Sequence, residues 1–202
     1  MSMVRASLVI AFSWSGLVAV DDRPEPKKPI GCEIGAEVPA FYVREITGNR
    51  PNLAVCLVCQ NGDRPVVLVA VRKLDAQVEQ LLEGLDRTIE AHRADGLRSF
   101  AIFLSSDAKE LKDLPPRLMT LARDRKLALP LAIPVESTTG PAGLALPSDV
   151  QTVVLFYEQK KIVARRLIRS GELTKEQVEQ VVREAEQMVA ARSTRQPQPA
   201  AD

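Results

Sequence analysis

The sequence has few of the residues that most often build a catalytic centre. Its 202 residues include one histidine, His92, and three cysteines, Cys32, Cys56 and Cys59. A single histidine cannot form a multi-histidine metal site within one chain. The sequence patterns of phosphate-binding loops, dinucleotide-binding turns, serine nucleophile elbows and zinc-protease helices are also missing. We therefore expect no cofactor and no histidine-based metal site.

The chain also has few aromatic residues and almost no net charge. Aromatics make up 4% of the chain and the formal net charge is +1, so no basic, aromatic surface is available for nucleic acid or for an anionic membrane. The apolar fraction of 46% and charged fraction of 26% are typical of a soluble globular protein. A chain of this length is long enough for one domain with a sizeable core and for ends that need not fold.

The N-terminus has the pattern of a secretory signal peptide. Arg5 precedes an apolar run of about fifteen residues, and the acidic, proline-rich stretch DDRPEPKKP follows at once. The run is short for a bilayer span of roughly twenty residues, although an uncleaved anchor or a buried helix is an alternative. We predict a signal peptide over residues 1–20 and export to the periplasm or the extracellular space. Another exported protein is then a candidate partner, and the oligomeric state stays open.

The remaining chain predicts a linker at 21–34, one domain at 35–190 and a disordered tail at 191–202. Within the domain, buried β-branched runs alternate with stripes of helical spacing, which favours a partly parallel sheet. The prolines Pro115 and Pro116 are predicted to open a short helix. The predicted elements are strands at 65–71, 97–104 and 127–136, a hairpin at 149–168, and helices at 74–93 and after Thr174.

Three stretches resemble the thioredoxin-like superfamily, in the branch of the peroxiredoxins and exported thiol–disulfide proteins. RPVVLVAV looks like the central strand before the catalytic cysteine, and DVQTVVLFYEQKKIVARRL is similar to the late hairpin. GAEVPAFYVREITGN is similar to a lead-in of that branch, with four matching positions: Gly35, Pro39, Phe41 and Gly48. The resemblance implies a three-layer α/β fold, with a mixed central sheet and helices on both faces.

The sequence departs from this branch where the chemistry is expected. The family's nucleophilic cysteine follows the central strand, but VRKLDAQVEQ, residues 71–80, contains no cysteine, serine or threonine. Gln151, before Thr152, stands where the resemblance places the cis-proline. Arg72 and Lys73 lie at the carboxyl end of the predicted central strand, where ligand crevices form in open α/β sheets. We therefore take Arg72, Lys73, Gln151 and Thr152 as candidates for a binding cleft.

Cys56 and Cys59 form a C-x-x-C motif in an apolar setting. The stretch LAVCLVC precedes Asn61-Gly62, a strong hairpin signal, so we predict a strand at 53–60 that pairs with 65–71. Within a strand, residues three apart point to opposite faces, with Cα atoms roughly 10 Å apart. A disulfide needs Cα atoms within about 7 Å, so this geometry would prevent the two cysteines from acting together.

Four interpretations of these cysteines stay open. They are apolar core residues, a redox pair, a thiolate metal site, or partners of Cys32 in a structural disulfide. The first function hypothesis is accordingly an exported thioredoxin-like protein that has lost catalysis and acts as a binding or structural module. The alternatives are a thiol–disulfide oxidoreductase with Cys56 and Cys59 as catalytic residues, and a thiolate metal-binding protein. If the chain is an enzyme, we expect the oxidoreductase.

Overall fold

The computed structural model describes residues 31 to 195, and side chains as far as Arg192. The predicted signal peptide, the linker up to residue 30 and the tail from residue 196 lie outside this range. The chain forms seven strands, β1 to β7: Val43–Thr47, Ala54–Val55, Val66–Val71, Arg98–Phe103, Leu131–Pro134, Thr152–Glu158 and Lys161–Ile168. It forms four α-helices, α1 to α4: Leu57–Asn61, Ala76–Ala91, Ala108–Arg125 and Lys175–Arg195.

The strands form one mixed sheet in the order β2-β1-β5-β4-β3-β6-β7. Strand β4 runs parallel to its neighbours β3 and β5, whereas all other neighbouring pairs are antiparallel. All six residues of β3 are buried, because this strand lies inside the sheet between β4 and β6 and is covered on both faces. The mixed sheet and the α/β class confirm the predicted fold.

Different elements pack on the two faces of the sheet. Helices α2, α3 and α4 pack on one face, with inward residues such as Leu82, Leu118 and Val181. The other face packs against α1, the segment from Cys32 to Phe41 and a 3-10 turn at Ala142–Leu144. None of the helices in the described range has the length and apolar character needed to cross a bilayer.

The C-terminal elements agree with the sequence pattern. Strands β6 and β7 form the predicted hairpin, with Gln159 and Lys160 in its turn at positive φ. Thr174 Oγ1 accepts a hydrogen bond from the amide of Gln177 at 3.4 Å at the start of α4. The helix continues to Arg195, beyond the predicted domain end at residue 190. Alanine and arginine are strong helix formers, so helical structure extends past the last buried position, Val189.

Two local predictions were wrong. Pro115 and Pro116 do not open a helix but lie inside α3, which begins after the N-cap Asp107. Asp107 supplies a stronger start, because its carboxylate accepts hydrogen bonds from the amides of Lys109 and Glu110.

The second wrong prediction concerns residues 53–60, which do not form a strand against 65–71. Only Ala54–Val55 is a strand there, and it pairs with β1 at the edge of the sheet.

Candidate functional site

The C-x-x-C motif lies on a short helix instead of a strand. Cys56 is the N-cap of α1, and Cys59 lies within its first turn. The helical turn brings their Cα atoms to 5.2 Å, and the two residues form a disulfide bond. The predicted strand geometry, which would have kept the cysteines apart, is therefore wrong. The cysteines form a unit because the chain turns between them.

Local contacts hold this turn in place. The backbone N–H of Cys59 donates a hydrogen bond to Sγ of Cys56 at 3.1 Å. At the other end of α1, Gly62 has φ of 57° and ψ of −128°, a backbone conformation that only glycine adopts easily. Arg64 donates from Nη1 to the carbonyls of Gln60 and Asn61 at 3.3 and 3.4 Å.

The two half-cystines differ in exposure. Cys56 is 8% exposed, whereas Cys59 is exposed to solvent. The residues between them, Leu57 and Val58, are buried and pack into the apolar layer on that face of the sheet. Of the two residues, Cys59 is therefore the more accessible to an incoming thiolate.

A buried tyrosine lies beneath α1. Tyr157 is fully buried and belongs to the same apolar layer as Leu57 and Val58. Burial raises the pKa of Tyr157, and the neighbouring Asn61 side chain opposes that rise only in part. The hydroxyl forms no hydrogen bond of normal geometry within the described residues.

A cavity of about 310 Å³ adjoins the disulfide-bearing helix. It opens at the edge of the sheet that holds the amino ends of β3, β4 and β5. Its wall combines one face of α1 with the ends of α2 and β4 and the loop before β5. The lining residues used below are Glu45, Gln60, Asn61, Arg64, Arg93, Arg98 and Ser99.

Cys32 is not bonded to either member of the motif. It is a free, buried cysteine. Arg165 donates from Nη1 to the Cys32 carbonyl at 3.0 Å and contacts its sulfur at 3.7 Å. The structural disulfide between Cys32 and Cys56 or Cys59, one of the open alternatives, is therefore contradicted by the structure. Residues of the motif are bonded to each other because α1 brings them within reach.

The position of the family's catalytic cysteine, after β3, is occupied by an arginine clamp. Arg72 donates to three carbonyl groups, those of Val150 and Thr139 at 3.1 Å each and that of Pro147 at 3.4 Å. Its guanidinium thus fastens the loop between β5 and β6 to the end of β3. The contact with Thr139 shows that this loop reaches the carboxyl end of β3.

Of the other predicted cleft residues, Gln151 and Thr152 line one cavity, whereas Lys73 does not. Gln151 Nε2 donates to Asp75 Oδ2 at 2.8 Å, and Gln151 and Thr152 line a cavity of about 350 Å³. Lys73 and Arg72 are not among the residues lining it. Asp75 is also the N-cap of α2, since its carboxylate accepts a hydrogen bond from the amide of Val78 at 3.0 Å.

Metal ligands and His92 are the remaining candidates for a second site in the described residues. Among residues 31 to 195, no group of three or more histidine, cysteine or acidic side chains is placed to hold a metal ion. His92 caps the C-terminus of α2, and its Nδ1 lies 3.0 Å from Asp95 Oδ2.

Comparison with solved structures supports the fold. A putative thiol:disulfide interchange protein DsbE from Chlorobium tepidum matches with a TM-score of 0.53 and 15% identity, covering 77% of this chain and 99% of the other. A secreted thiol-disulfide isomerase from Corynebacterium glutamicum matches with a TM-score of 0.57 and 16% identity, over 83% and 95% of the two chains. The bacterioferritin comigratory protein of Xanthomonas campestris, whose structure concerns alkyl peroxide reduction, has a TM-score of 0.54 and 9% identity, over 78% and 99%.

Neither a protein-family model nor a curated protein sequence matches the chain. The similarity to solved structures is therefore a similarity of fold, and it shows that the chain has the thioredoxin-like fold. Proteins of thiol–disulfide chemistry are prominent among these neighbours, and two of them are described as secreted.

The sequence alone did not reveal the basic cavity beside α1. Arg64 is distant along the chain from Arg93 and Arg98, and the three line one cavity only because α1 packs near the amino ends of the strands. Asn61 and Gly62 were interpreted as a hairpin turn, but they end α1. Asn-Gly is favoured by any backbone with positive φ, so this signal did not distinguish a hairpin from a helix end.

Proposed function

We propose that this chain is an exported thiol–disulfide oxidoreductase that exchanges electrons through Cys56 and Cys59. The observation that carries the proposal is the disulfide itself, because one of its sulfurs belongs to an exposed residue and the other to a buried one. Thiol–disulfide exchange requires access to a disulfide sulfur, and Cys59 supplies it. The fold neighbours of thiol–disulfide chemistry support the same class.

The residues define the order of the chemical steps. A substrate thiolate attacks Sγ of Cys59, the Cys56–Cys59 bond breaks, and Cys56 leaves as a thiolate. The amide of Cys59, which already donates to Sγ of Cys56, can stabilise this leaving thiolate. A second substrate thiolate then attacks the substrate sulfur of the mixed disulfide and releases Cys59. The substrate dithiol becomes a disulfide, and the protein takes up two electrons.

The site differs in position from that of the family branch it resembles. The helix α1 precedes the central strand β3 and lies at its amino end, whereas the family's catalytic cysteine follows that strand. Export would place the pair in an oxidising compartment, where a disulfide is stable. The support for export is the signal-peptide pattern at residues 1–20 and the secreted proteins among the fold neighbours.

A second candidate function is the binding or structural module. It is favoured by the absence of a cysteine after β3 and by Arg72, whose three hydrogen bonds to carbonyls close that position. In that case, the disulfide only stabilises the first turn of α1.

Catalysed reduction of insulin by dithiothreitol separates the two candidates. We expect the protein to accelerate insulin precipitation, Cys59→Ser to abolish the acceleration, and Cys32→Ser to leave it unchanged. Cys32→Ser is the matched control because it removes a free cysteine outside the pair. If the unmodified protein does not accelerate the reaction, the oxidoreductase proposal fails and the binding module is favoured.

A further inference from the structure

The cavity beside α1 is basic and does not include the disulfide. Three arginines line it, Arg64, Arg93 and Arg98, together with one acidic residue, Glu45, and neither cysteine of the motif belongs to its wall. Glu45 is 2% exposed, and its Oε1 accepts a hydrogen bond from the amide of Arg50 at 3.0 Å. The turn after β1 therefore already engages this carboxylate, and the cavity keeps an excess of positive charge.

Two of the three arginines have no carboxylate partner in the described part of the chain. Arg64 donates to the main-chain carbonyls of Gln60 and Asn61. Both hydrogen bonds of Arg98 also go to main-chain carbonyls, at 3.0 and 2.7 Å. A guanidinium carries five N–H donors, so each of these two arginines has further donors for a ligand.

Arg98 lies within electrostatic reach of the other two arginines. Burial, followed by the charges of Arg64 and Arg93, lowers the pKa of Arg98. Arg93 has an acidic partner, since its Nη2 lies 2.7 Å from Oε2 of Glu90, so the uncompensated charges are those of Arg64 and Arg98. Like charges at a partly enclosed position cost free energy through repulsion and lost hydration. A bound anion would reduce both costs.

A buried hydroxyl on the cavity wall has no partner. Ser99 is 6% exposed and lines the cavity, and its Oγ forms no hydrogen bond within the described structure. Buried polar atoms without a partner are uncommon, because they lose hydration and gain nothing in return. An acceptor oxygen of a ligand would supply this partner, and the hydroxyl thus points to a ligand independently of the arginines.

Arg98 and Ser99 reach the cavity from opposite faces of β4. Successive strand residues alternate between the two faces, and Ser99 shares its face with Ala101, which belongs to the apolar layer under α2. The side chain of Arg98 starts on the other face, but its Nη1 donates to the carbonyl of Arg93, beyond the end of α2, at 3.0 Å. The guanidinium therefore bends around the amino end of β4 toward the face that carries Ser99.

We propose that this cavity binds a phosphate group, either inorganic phosphate or the phosphate of a small phosphomonoester, through Arg64, Arg98 and Ser99. A phosphomonoester carries nearly two negative charges at neutral pH, which matches the two guanidinium groups without a carboxylate partner. Its three terminal oxygens point in different directions and can accept from donors on separate walls of the cavity. The two oxygens of a carboxylate lie in one plane and suit a single guanidinium.

The size of the cavity agrees with a small ligand. Its volume of about 310 Å³ is at the lower end of the range for small-molecule sites, so a short group attached to the phosphate also fits. The phosphate site does not depend on exchange at Cys59, because the cysteines lie outside the cavity wall.

Isothermal titration calorimetry of the full protein in a chloride buffer tests the site. The probes are inorganic phosphate, glycerol 3-phosphate and acetate, compared at equal ionic strength. We expect saturable binding of both phosphate probes and much weaker binding of acetate. Tighter binding of glycerol 3-phosphate identifies a phosphomonoester as the ligand, whereas tighter binding of inorganic phosphate identifies the free anion. Acetate that binds as tightly as the phosphate probes would contradict the proposal.

Two variants each remove one donor from the site. Ser99→Ala should weaken phosphate binding by about tenfold, as for a hydrogen bond to a charged group, and Arg64→Gln by about two- to fivefold, as for an exposed ion pair. Because Ser99 Oγ has no partner in the described structure, Ser99→Ala should not lower the urea midpoint of unfolding without phosphate. Arg183→Gln, which removes an exposed arginine on α4, is the control and should leave the affinity unchanged.

Three results would overturn the phosphate site. They are the absence of saturable binding by either phosphate probe, an affinity that both Ser99→Ala and Arg64→Gln leave unchanged, and an equal weakening by Arg183→Gln, which would mean binding through general surface charge. None of them bears on the exchange function, which the insulin assay measures separately.

Discussion

The backbone N–H of Cys59 donates a hydrogen bond of 3.1 Å to Sγ of Cys56. The same helical turn that closes the disulfide therefore also solvates the sulfur that would leave when Cys59 is attacked. Because Cys59 is exposed and Cys56 is 8% exposed, the proposed exchange has a direction: the substrate thiolate attacks Cys59, and Cys56 is released as the thiolate.

The first prediction concerns the reactivity of the separated cysteines. In Cys56→Ser the remaining Cys59 should react with iodoacetamide in the folded protein about tenfold or more faster than Cys56 does in Cys59→Ser, because alkylation requires an accessible thiolate. Mass mapping of the labelled peptides distinguishes both from buried Cys32. Equal rates for Cys56 and Cys59 would contradict the assignment of Cys59 as the attacked residue.

The second prediction concerns the arginine clamp. Arg72→Met keeps the apolar stem but removes the hydrogen bonds to Val150, Thr139 and Pro147, so we expect the free energy of unfolding to fall by about 1–3 kcal/mol. The loop at residues 137–150 should also exchange its amide hydrogens faster. Urea unfolding and hydrogen exchange measure the two effects.

Arg87→Met is the control for the clamp, since Arg87 is an exposed arginine on α2, and such changes usually shift the unfolding free energy by less than about 0.5 kcal/mol. Because Arg72 lies at the opposite edge of the sheet from α1, exchange at Cys59 should not change in Arg72→Met. A large loss of exchange activity would instead place Arg72 in the reactive site.

The third prediction concerns Tyr157 and alkaline pH. Burial raises the pKa of its phenol, so between pH 10 and 11.5 the folded protein keeps a proton that the unfolded chain releases. The unfolding free energy then falls as pH rises, by up to about 1.4 kcal/mol per pH unit above 10. Tyr157→Phe lacks this group, so its stability relative to the unmodified protein should increase over that range.

Below pH 9 the same substitution should change the unfolding free energy by less than about 1 kcal/mol, because the hydroxyl forms no hydrogen bond of normal geometry in the described structure. Urea unfolding from pH 8 to 11.5 provides both measurements. A constant difference between the two proteins across this range would mean that Tyr157 does not lose its proton on unfolding.

Long apolar elements were predictable from the sequence. The β-branched run at 65–71 became β3 at Val66–Val71, and the helical stripe at 74–93 became α2 at Ala76–Ala91. These segments bury enough side chains for periodicity to determine their structure. The β6–β7 hairpin was predicted too, since the polar residues Gln159 and Lys160 interrupt two apolar runs.

The candidate site was less predictable, because short buried segments have no distinguishing period. Leu57 and Val58 are as apolar as strand residues, and a single turn of helix buries them just as well. Cys56 is also an unusual N-cap, since oxygen-bearing side chains usually fill that position. The turn became visible only in three dimensions, as did the cavity beside it.

The reduction potential of the Cys56–Cys59 pair tests the central claim most directly. The full protein is equilibrated in glutathione buffers of graded ratio, free thiols are alkylated, and the labelled peptides are quantified by mass. The account predicts a reversible two-electron transition between about −270 and −120 mV, the range of thiol–disulfide exchange proteins. A disulfide that stays oxidised to below about −300 mV would be a structural staple, and the chain would then be a thioredoxin-like module without exchange activity.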